Sequence, residues 1–318
     1  MFRSAVVALI TVFANVAMAQ TSTWPNKTIR FVVPFAPGGA NDLMARSAAL
    51  AAQQHLGQTI VIENRPGAGG SIGSDAVAKS APDGYTFLIS ASGVISNSMI
   101  KKNMPFQDSD LVPVAMIALA PSVIVVAPNS PYKTLKDLVE ASKTGPGLHF
   151  ATAGTGSTPH FVAEMLNTKY GAKLDPVPYK SGSESTTALI GGQIAATSEA
   201  SIVSLNYLKS GKLRALATTW VKRIDAYPNL STAIEQGFPD IRIAHWAGLH
   251  APKGTPVEIL DKMAAAIEAG MKSQAVVDRL TPLGIQPMGG TRVEFEKFVD
   301  AERARLGSIV RASGMKED

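Results

Sequence analysis

The sequence of 318 residues contains no cysteine. Disulfide bonds, chemistry at a thiolate and membrane anchoring through a lipid-modified cysteine are therefore excluded. Clustered basic charge is also scarce, although the formal net charge is +5, because Lys101-Lys102 and Lys222-Arg223 are the only adjacent basic pairs. Nucleic-acid binding usually needs a clustered basic face with aromatic side chains between the charges. We therefore expect no nucleic-acid partner.

Long apolar runs are absent as well. The longest candidate, residues 5–16, is too short for a stable membrane span, and nothing later in the chain reaches the required length. Arg3 precedes this run and Ala17-Met18-Ala19 follows it with the small residues of a cleavage site. The pattern predicts a signal peptide over residues 1–19, cleaved before Gln20, with an uncleaved anchor as the alternative. Export to an oxidising compartment such as a bacterial periplasm is expected.

Metal and dinucleotide signatures are missing too. The five histidines stand at positions 55, 149, 160, 245 and 250, and none forms an H-x-x-x-H or H-E-x-x-H motif. The glycine-rich segment from Gly67 to Gly73 has the spacing G-x-G-x-x-x-G, one residue off the dinucleotide fingerprint, and no acid follows near 20 residues later. It is interpreted as a structural turn. We expect neither a metal nor a cofactor.

What is present is an alternation of strand and helix patterns, which is typical of a mostly parallel α/β sheet. Strands are predicted over residues 29–34, 59–63, 86–90, 122–127, 149–152, 174–178, 194–197 and 215–218. Helices are predicted over residues 43–56, 71–80, 135–144, 159–170, 183–191, 202–210, 256–271 and 292–313. The last helix carries apolar residues at helical spacing and should dock on a sheet.

Two apolar segments indicate where the chain passes between two lobes. Residues 111–128 form the first, and the chain returns through residues 241–252. These crossings predict a lobe 1 of residues 24–123 and 245–318 and an inserted lobe 2 of residues 124–244. Because no Gly/Ser linker separates the lobes, the crossings are expected to be short hinges that permit closure over a ligand. Trp246, on the return crossing, either packs in the hinge or forms a wall of the site.

A Gly-rich turn between a strand and a helix occurs once in each predicted lobe. The first includes Gly38, Gly39 and Ala40, and the second runs from Gly154 to Thr158. Such turns leave free backbone N–H groups at the positive end of the helix dipole, which makes an anion site without a charged side chain. Two of them suggest two lobes that grip one small acid.

The candidate ligand-binding residues follow from these turns and their neighbours. They are Phe35, Gly38, Gly39, Ala40, Asp42, Ser92, Thr155, Gly156, Ser157, Thr158, Tyr179 and Glu199. Phe35 is the expected apolar contact. Asp42 either caps its own helix or contacts the ligand, and Ser157 and Thr158 carry the same two alternatives.

The motifs also resemble a known family. They are Val33-Pro34-Phe35-Ala36-Pro37-Gly38-Gly39 with Asp42, Val61 to Gly73, Ala81-Pro82-Asp83-Gly84-Tyr85-Thr86, Ala153-Gly154-Thr155-Gly156-Ser157, Val177-Pro178-Tyr179-Lys180, Gly191-Gly192-Gln193 and Gly211 to Ala217. This order is similar to the Bug family, the substrate-binding proteins of tripartite tricarboxylate transporters. The resemblance implies an α/β, type II periplasmic-binding-protein fold with two lobes and two hinge crossings. It also implies a small carboxylate held in the cleft by main-chain amides and waters, and membrane permease subunits as partners of a monomer.

One segment departs from the family pattern. Where relatives commonly have an aromatic residue, Asp and Asn after Gly-Gly-Gln and the next strand, this chain has Thr197-Ser198-Glu199-Ala200. Glu199 either faces the cleft, with Lys180 or a ligand donor as its partner, or caps the helix that begins near Ile202. Two other functions stay open. One is a periplasmic hydrolase using Ser157 and His160, although no G-x-S-x-G elbow is present, and the other is a ligand-sensing partner of a two-component system.

Overall fold

A computed structural model describes residues 24–317 of the protein. The predicted signal peptide lies outside the described residues. Over residues 24–317, no helix combines the length and the apolar character that crossing a membrane would require.

Ten strands of the described chain form one continuous sheet with the order β2-β1-β3-β9-β4-β7-β5-β6, and β8 and β10 also pair with β4. The strands are β1 Ile29–Val33, β2 Ile60–Asn64, β3 Thr86–Ser90, β4 Leu111–Val126, β5 Leu148–Thr152, β6 Leu174–Pro178, β7 Ala196–Ala200, β8 Arg214–Thr218, β9 Ala244–Pro252 and β10 Gln286–Pro287.

The sheet is parallel at its two ends and antiparallel in its centre. β1 pairs in parallel with β2 and β3, and β5 pairs in parallel with β6 and β7. Every described pairing of β4 and β9 is antiparallel. The expectation of a mostly parallel sheet is therefore wrong for the centre, because β9 comes from the far end of the chain and runs back between β3 and β4.

β4 belongs to both halves of the sheet. Its residues 111–121 pair with β9, and its residues 122–126 pair with β7 and β8. The chain comes back beside this change of partner, where Ala244 pairs with Pro121. Thr219 reinforces the junction, since its N–H donates to the carbonyl of Ser122 at 2.9 Å and its hydroxyl to the carbonyl of Ile243 at 2.6 Å.

The described α-helices are α1 Ala40–Leu56, α2 Ser71–Ala78, α3 Ser92–Ile100, α4 Leu135–Ser142, α5 Thr158–Tyr170, α6 Gly182–Ile190, α7 Ser201–Lys209, α8 Val257–Met271, α9 Gln274–Leu280 and α10 Arg292–Ser313. Capping boxes at Thr134 and Thr291 begin α4 and α10. The predicted stops Gly57 and Gly171 follow α1 and α5 in the left-handed conformation.

The two largest buried clusters lie in different halves of the sheet. One packs α1 and α8 against β1, β3 and β9 around Phe31, Phe87 and Met263. The other packs α4 and α5 against β5 around Phe150 and Phe161. α10 contributes to both regions: Phe295 packs against Trp246 of β9, whereas Leu306 belongs to the cluster around α5.

Candidate ligand cleft

A narrow cleft lies where the two halves of the sheet meet. Four helices, α1, α3, α5 and α6, point their amino termini into it, and strands β7 and β9 add one side chain each. The lining residues are Phe35, Gly39, Ala40, Asn41, Ala91, Ser92, Gly93, Ala153, Ser157, Thr158, Pro159, Ser181, Gly182, Glu199 and His245. We call this cavity the cleft.

The amino terminus of α1 brings backbone donors to the cleft. Gly39 is the N-cap residue and no side chain caps it. The first N–H groups of a helix have no acceptor inside the helix, and within residues 24–317 the N–H groups of Gly39, Ala40 and Asn41 have no other partner. These N–H groups are therefore available to an anion in the cleft.

Gly38, which was predicted as a ligand contact, does not belong to this donor set. Its N–H donates to Oδ2 of Asp42 at 3.0 Å, and Gly38 does not line the cleft. The donor is used up in holding the turn.

Asp42 does not line the cleft either, and its carboxylate holds the turn from inside. It is buried, and it accepts hydrogen bonds from Gly38, Asn64 and Arg46. Burial alone would raise the pKa of Asp42, but these hydrogen bonds and the Arg46 charge lower it below its usual value. The backbone N–H from which Asp42 accepts, that of Gly38, precedes the N-cap Gly39, so Asp42 fixes the turn before α1, and neither the predicted cap of the first helical turn nor the predicted ligand contact is shown.

The amino terminus of α5 supplies Ser157, Thr158 and Pro159 to the cleft. The hydroxyl of Ser157 donates to the carbonyl of Gly154 at 2.6 Å. Gly156 was predicted as a contact, but its N–H donates to Nδ1 of His160 at 3.1 Å, so that donor is not free. Thr155 lines a neighbouring cavity instead, together with residues 67–70. The structure therefore places neither Gly156 nor Thr155 on the cleft, and their role as ligand contacts stays a prediction.

The geometry around Ser157 does not form a nucleophile–base pair. Its hydroxyl points to the Gly154 carbonyl, while Nδ1 of His160 accepts the Gly156 N–H. The other ring nitrogen of His160 lies 3.7 Å from Glu164. Nucleophilic catalysis needs the base within hydrogen-bond reach of the hydroxyl, and among the described residues no hydrogen bond joins Ser157 to His160.

A third helix terminus was not predicted from the sequence. α3 begins at Ser92 after an N-cap at Ala91 that has no side-chain cap, so Ser92 and Gly93 present N–H groups to the cleft. The Ser92 hydroxyl also lies 3.4 Å from that of Thr158, across the cleft. Ser92 was a candidate, and the structure places it on the cleft.

The fourth terminus, that of α6, lies opposite α1. Ser181 is its N-cap and accepts a hydrogen bond from the N–H of Glu184, and Gly182 follows it at the cleft wall. Tyr179 was predicted here, but it lines the neighbouring cavity with Thr155. The chain turns between β6 and α6, so Tyr179 and Gly182 face different spaces. Phe35 borders both cavities.

Glu199 lies on the cleft as the fourth residue of β7, only 2 % exposed. Its Oε1 accepts hydrogen bonds from the hydroxyls of Ser185 at 2.8 Å and Thr197 at 3.3 Å. Burial raises the pKa of Glu199 to about 7, and the two hydroxyl groups oppose this shift only in part. The capping alternative is wrong, because α7 has Ala200 as N-cap and no side-chain cap.

His245 was missed as a cleft residue. It alternates on β9 with Trp246, so the two side chains leave opposite faces of the strand. Trp246 packs against Phe295 and Phe298, which settles its role as packing, while His245 faces the cleft. Nε2 of His245 lies 3.2 Å from the Ser122 hydroxyl, and burial lowers the pKa of His245 to about 4. The signal that could have found it is this alternation.

The positive potential of the cleft comes from backbone dipoles. Among the described residues, no lysine or arginine lines it, and His245 is neutral at pH 7 because of its lowered pKa. Four helix amino termini therefore supply the positive potential. Within residues 24–317, no cluster of His, Asp or Glu could hold a metal ion. The arrangement can bind and orient an anion.

Comparisons with known proteins agree with this arrangement. The sequence model described as "Tripartite tricarboxylate transporter family receptor" matches residues 44–315. Protein BugT of Bordetella pertussis is 36% identical over 317 residues, which is 98% of this chain and 97% of that protein.

Three solved structures are similar over nearly the whole chain. The periplasmic binding protein BugD superposes with a TM-score of 0.88 at 29% identity, covering 93% of this chain and 100% of that one. R. palustris Rpa4515 with adipate has a TM-score of 0.88 at 32% identity, covering 92% and 99%. MatC (Rpa3494) from Rhodopseudomonas palustris with bound malate has a TM-score of 0.85 at 29% identity, covering 90% and 100%.

Proposed function

The chain belongs to the tripartite tricarboxylate transporter receptor family, and from this premise we propose that it captures a small organic carboxylate in the cleft. Membership confirms the resemblance to the Bug family and the α/β, type II periplasmic-binding-protein fold. The family consists of receptors, so the hydrolase alternative is not favoured.

The observation that carries the proposal is the convergence of four helix amino termini on a cleft without lysine or arginine. A carboxylate placed there meets several N–H groups at once, each at the positive end of a dipole. Each such interaction contributes about 0.3–1 kcal/mol, and more in a partly buried site. Adipate and malate, bound by two structural neighbours, are both small dicarboxylates.

We assign the binding roles to the predicted residues that line the cleft. Gly39 and Ala40 would bind through backbone N–H groups, Ser92 and Thr158 through N–H groups and hydroxyls, Ser157 through its hydroxyl alone because its N–H donates to Gly154, and Phe35 through apolar contact. Glu199 would face the ligand from β7. Asn41, Gly182 and His245 join this set, whereas Gly38, Asp42 and Gly156 position the turns.

We further propose that binding closes two lobes, residues 24–123 with 245–318 and residues 124–244, about the crossings at Ser122 and Ala244. The closed receptor would present its ligand to membrane permease subunits. A periplasmic monomer released from a signal peptide over residues 1–19 fits this role, and BugD is itself described as a periplasmic binding protein.

Replacing Gly39 with valine tests the site. Gly39 has a φ of −77°, which any residue adopts, and an added Cβ would lie 3.8 Å from the Ser181 Cβ, across the cleft. Valine should therefore fill the cleft and leave the fold intact. We expect malate and adipate to raise the melting temperature of the wild type by mass action and to leave that of Gly39→Val unchanged.

The matched control is Gly191→Val. Gly191 ends α6 at a φ of −74°, is exposed, and lies outside the cleft. This variant should respond to ligand as the wild type does. If no member of a broad carboxylate panel stabilises the wild type, or if Gly39→Val responds normally, the cleft is not the carboxylate site.

A further inference from the structure

The two carboxylate oxygens of Glu199 have different surroundings. Oε1 is bracketed by the hydroxyls of Ser185 and Thr197. Oε2 accepts no hydrogen bond from residues 24–317, and it is not sealed in the interior as the unpaired Nε1 of Trp246 is. Because Glu199 lines the cleft and is almost fully buried, the free oxygen faces the ligand space.

Gly182 keeps the space that Oε2 occupies. A Cβ added at Gly182 would lie 2.1 Å from Oε2, so a side chain there would expel the carboxylate. Gly182 is also the first residue of α6, whose dipole favours a negative charge at that point. The local structure thus accommodates a carboxylate and leaves one of its acceptor oxygens without a partner.

The protein offers this oxygen no cation. No lysine or arginine of the described chain lines the cleft, His245 is held neutral by burial, and Lys180 is exposed with its backbone N–H on Glu184. A buried acceptor without a donor is unfavourable, and a second carboxylate beside it would add repulsion. For the ionised carboxylate, which predominates above pH 7, the missing partner is therefore a donor that the ligand brings.

Resting on the proposed function, we propose that Glu199 determines specificity by accepting a hydrogen bond from an amino group of the ligand. The ligand class is then an amino-substituted carboxylate, an amino acid or amino diacid, in preference to a plain diacid. The carboxylate of such a ligand would bind the helix amino termini, while its ammonium group would meet Oε2. A hydroxyl group in the same place would be a weaker donor, because charge-assisted hydrogen bonds are stronger than neutral ones.

The test compares ligands that differ at one substituent. Succinate, L-malate and L-aspartate share a four-carbon diacid skeleton and carry hydrogen, hydroxyl and ammonium at one carbon, and glutarate and L-glutamate form a second pair. Isothermal titration calorimetry at pH 7.5 should find each amino diacid bound about 10- to 100-fold more tightly than its plain counterpart, with malate between.

Glu199→Gln should abolish this preference and keep, or improve, the binding of the plain diacids. Glu184→Gln is the matched control, because Glu184 lies on α6 beside Ser185 but outside the cleft, and its preference should equal that of the wild type. Plain diacids that bind as tightly as amino diacids, or a preference that survives in Glu199→Gln, would overturn the inference.

The same measurement separates this failure from failure of the proposed function. In one outcome, the diacids bind the wild type without a preference for the amino group, and Gly39→Val abolishes their binding. That result contradicts only the role of Glu199 and leaves the proposed function standing. If all five diacids fail to bind, the assignment of Glu199 as an acceptor for amino diacids is rejected. The wider carboxylate panel then tests whether the cleft binds a carboxylate at all.

Discussion

Asp42 and Glu199 are both buried acids, yet their surroundings shift their pKa values in opposite directions. Asp42 has an amide, a backbone N–H and a guanidinium around it, and these donors outweigh burial. Glu199 has only two hydroxyl groups, and burial prevails. Asp42, whose carboxylate is surrounded by donors, therefore stabilises the fold, whereas Glu199 keeps one carboxylate oxygen available to a ligand.

The raised pKa of Glu199 predicts how its replacement changes stability with pH. The folded pKa is about 7 and the ordinary value 4.5, so between these values the folded protein holds more protons than the unfolded chain. The contribution of Glu199 to the free energy of unfolding is therefore fully present below pH 4.5 and is lost as pH rises through 7. The loss is about 3 kcal/mol.

The free energy of unfolding of Glu199→Gln minus that of the wild type should therefore be about 3 kcal/mol larger at pH 8 than at pH 4.5. Urea unfolding of both proteins between pH 4.5 and pH 8 measures this difference in the free energy of unfolding. His245 and His250 titrate in both proteins, so their contribution cancels. A difference independent of pH would mean that Glu199 titrates normally in the folded protein.

The sequence predicted part of the cleft. Residues identified from turns, such as Gly39 and Ser157, do line it, because a strand–turn–helix pattern fixes where a helix begins. Gly38 and Gly156 lie off the cleft because consecutive N–H groups of one turn point in different directions, and only the three-dimensional structure shows that Asp42 and His160 accept hydrogen bonds from two of them. His245 carries no local motif, and the only sequence signal for it is its alternation with Trp246 on an extended segment.

Among the elements, the predicted helices with clear stops formed close to where they were expected, and α3 and α9 were missed. The sequence of α3, Ser92 to Ile100, is short and rich in serine and β-branched residues, which are poor helix formers. Packing decides instead, since Ile95 and Ile100 are buried. β4 is longer than its prediction for a related reason: its apolar run shows burial but not which strands will pair with it.

Phe295 of α10 packs against β9 in the interior of the protein. Phe295 is 1 % exposed, and its ring packs against Trp246, Phe298 and His250. Gly248 of β9 lies directly beneath it, where a Cβ would be 2.1 Å from the ring. Phe295→Ala should lower the free energy of unfolding by about 3–5 kcal/mol, since it empties this contact.

Val293→Ala is the control on the same helix. Val293 is 56 % exposed, and its replacement should change stability by no more than about 0.5 kcal/mol. Guanidinium unfolding of both variants makes the comparison. Equal, small effects would mean that α10 is not held to β9 through Phe295.

For the molecule as a whole, contacts across the cleft hold the two halves together. The Ser96 hydroxyl donates to the carbonyl of Gly156 at 3.1 Å, and Ser92 lies beside Thr158. Gly156 has a φ of +75°, and a Cβ there would lie 2.4 Å from the Ser96 Oγ. Gly156→Ala should therefore hold the proposed lobes apart and weaken carboxylate binding about 10-fold or more.

Gly171→Ala controls for the backbone conformation alone, since Gly171 has a φ of +66° and nothing lies within 4 Å of an added Cβ. With ligand present, small-angle scattering should show a larger radius of gyration for Gly156→Ala than for Gly171→Ala. If both variants have the same radius of gyration and the same affinity, the contact between Ser96 and Gly156 does not contribute to closure of the lobes.

The central position of β9 has a consequence for how the chain acquires its structure. Leu88 pairs with His250, 162 residues later in the sequence, and the antiparallel centre of the sheet is incomplete until Pro252 has been synthesised. Pairings so distant in sequence slow folding, because loop closure costs entropy before the contacts form. A nascent chain built in this way stays unfolded for longer, which would suit the export to the periplasm that we propose for this protein.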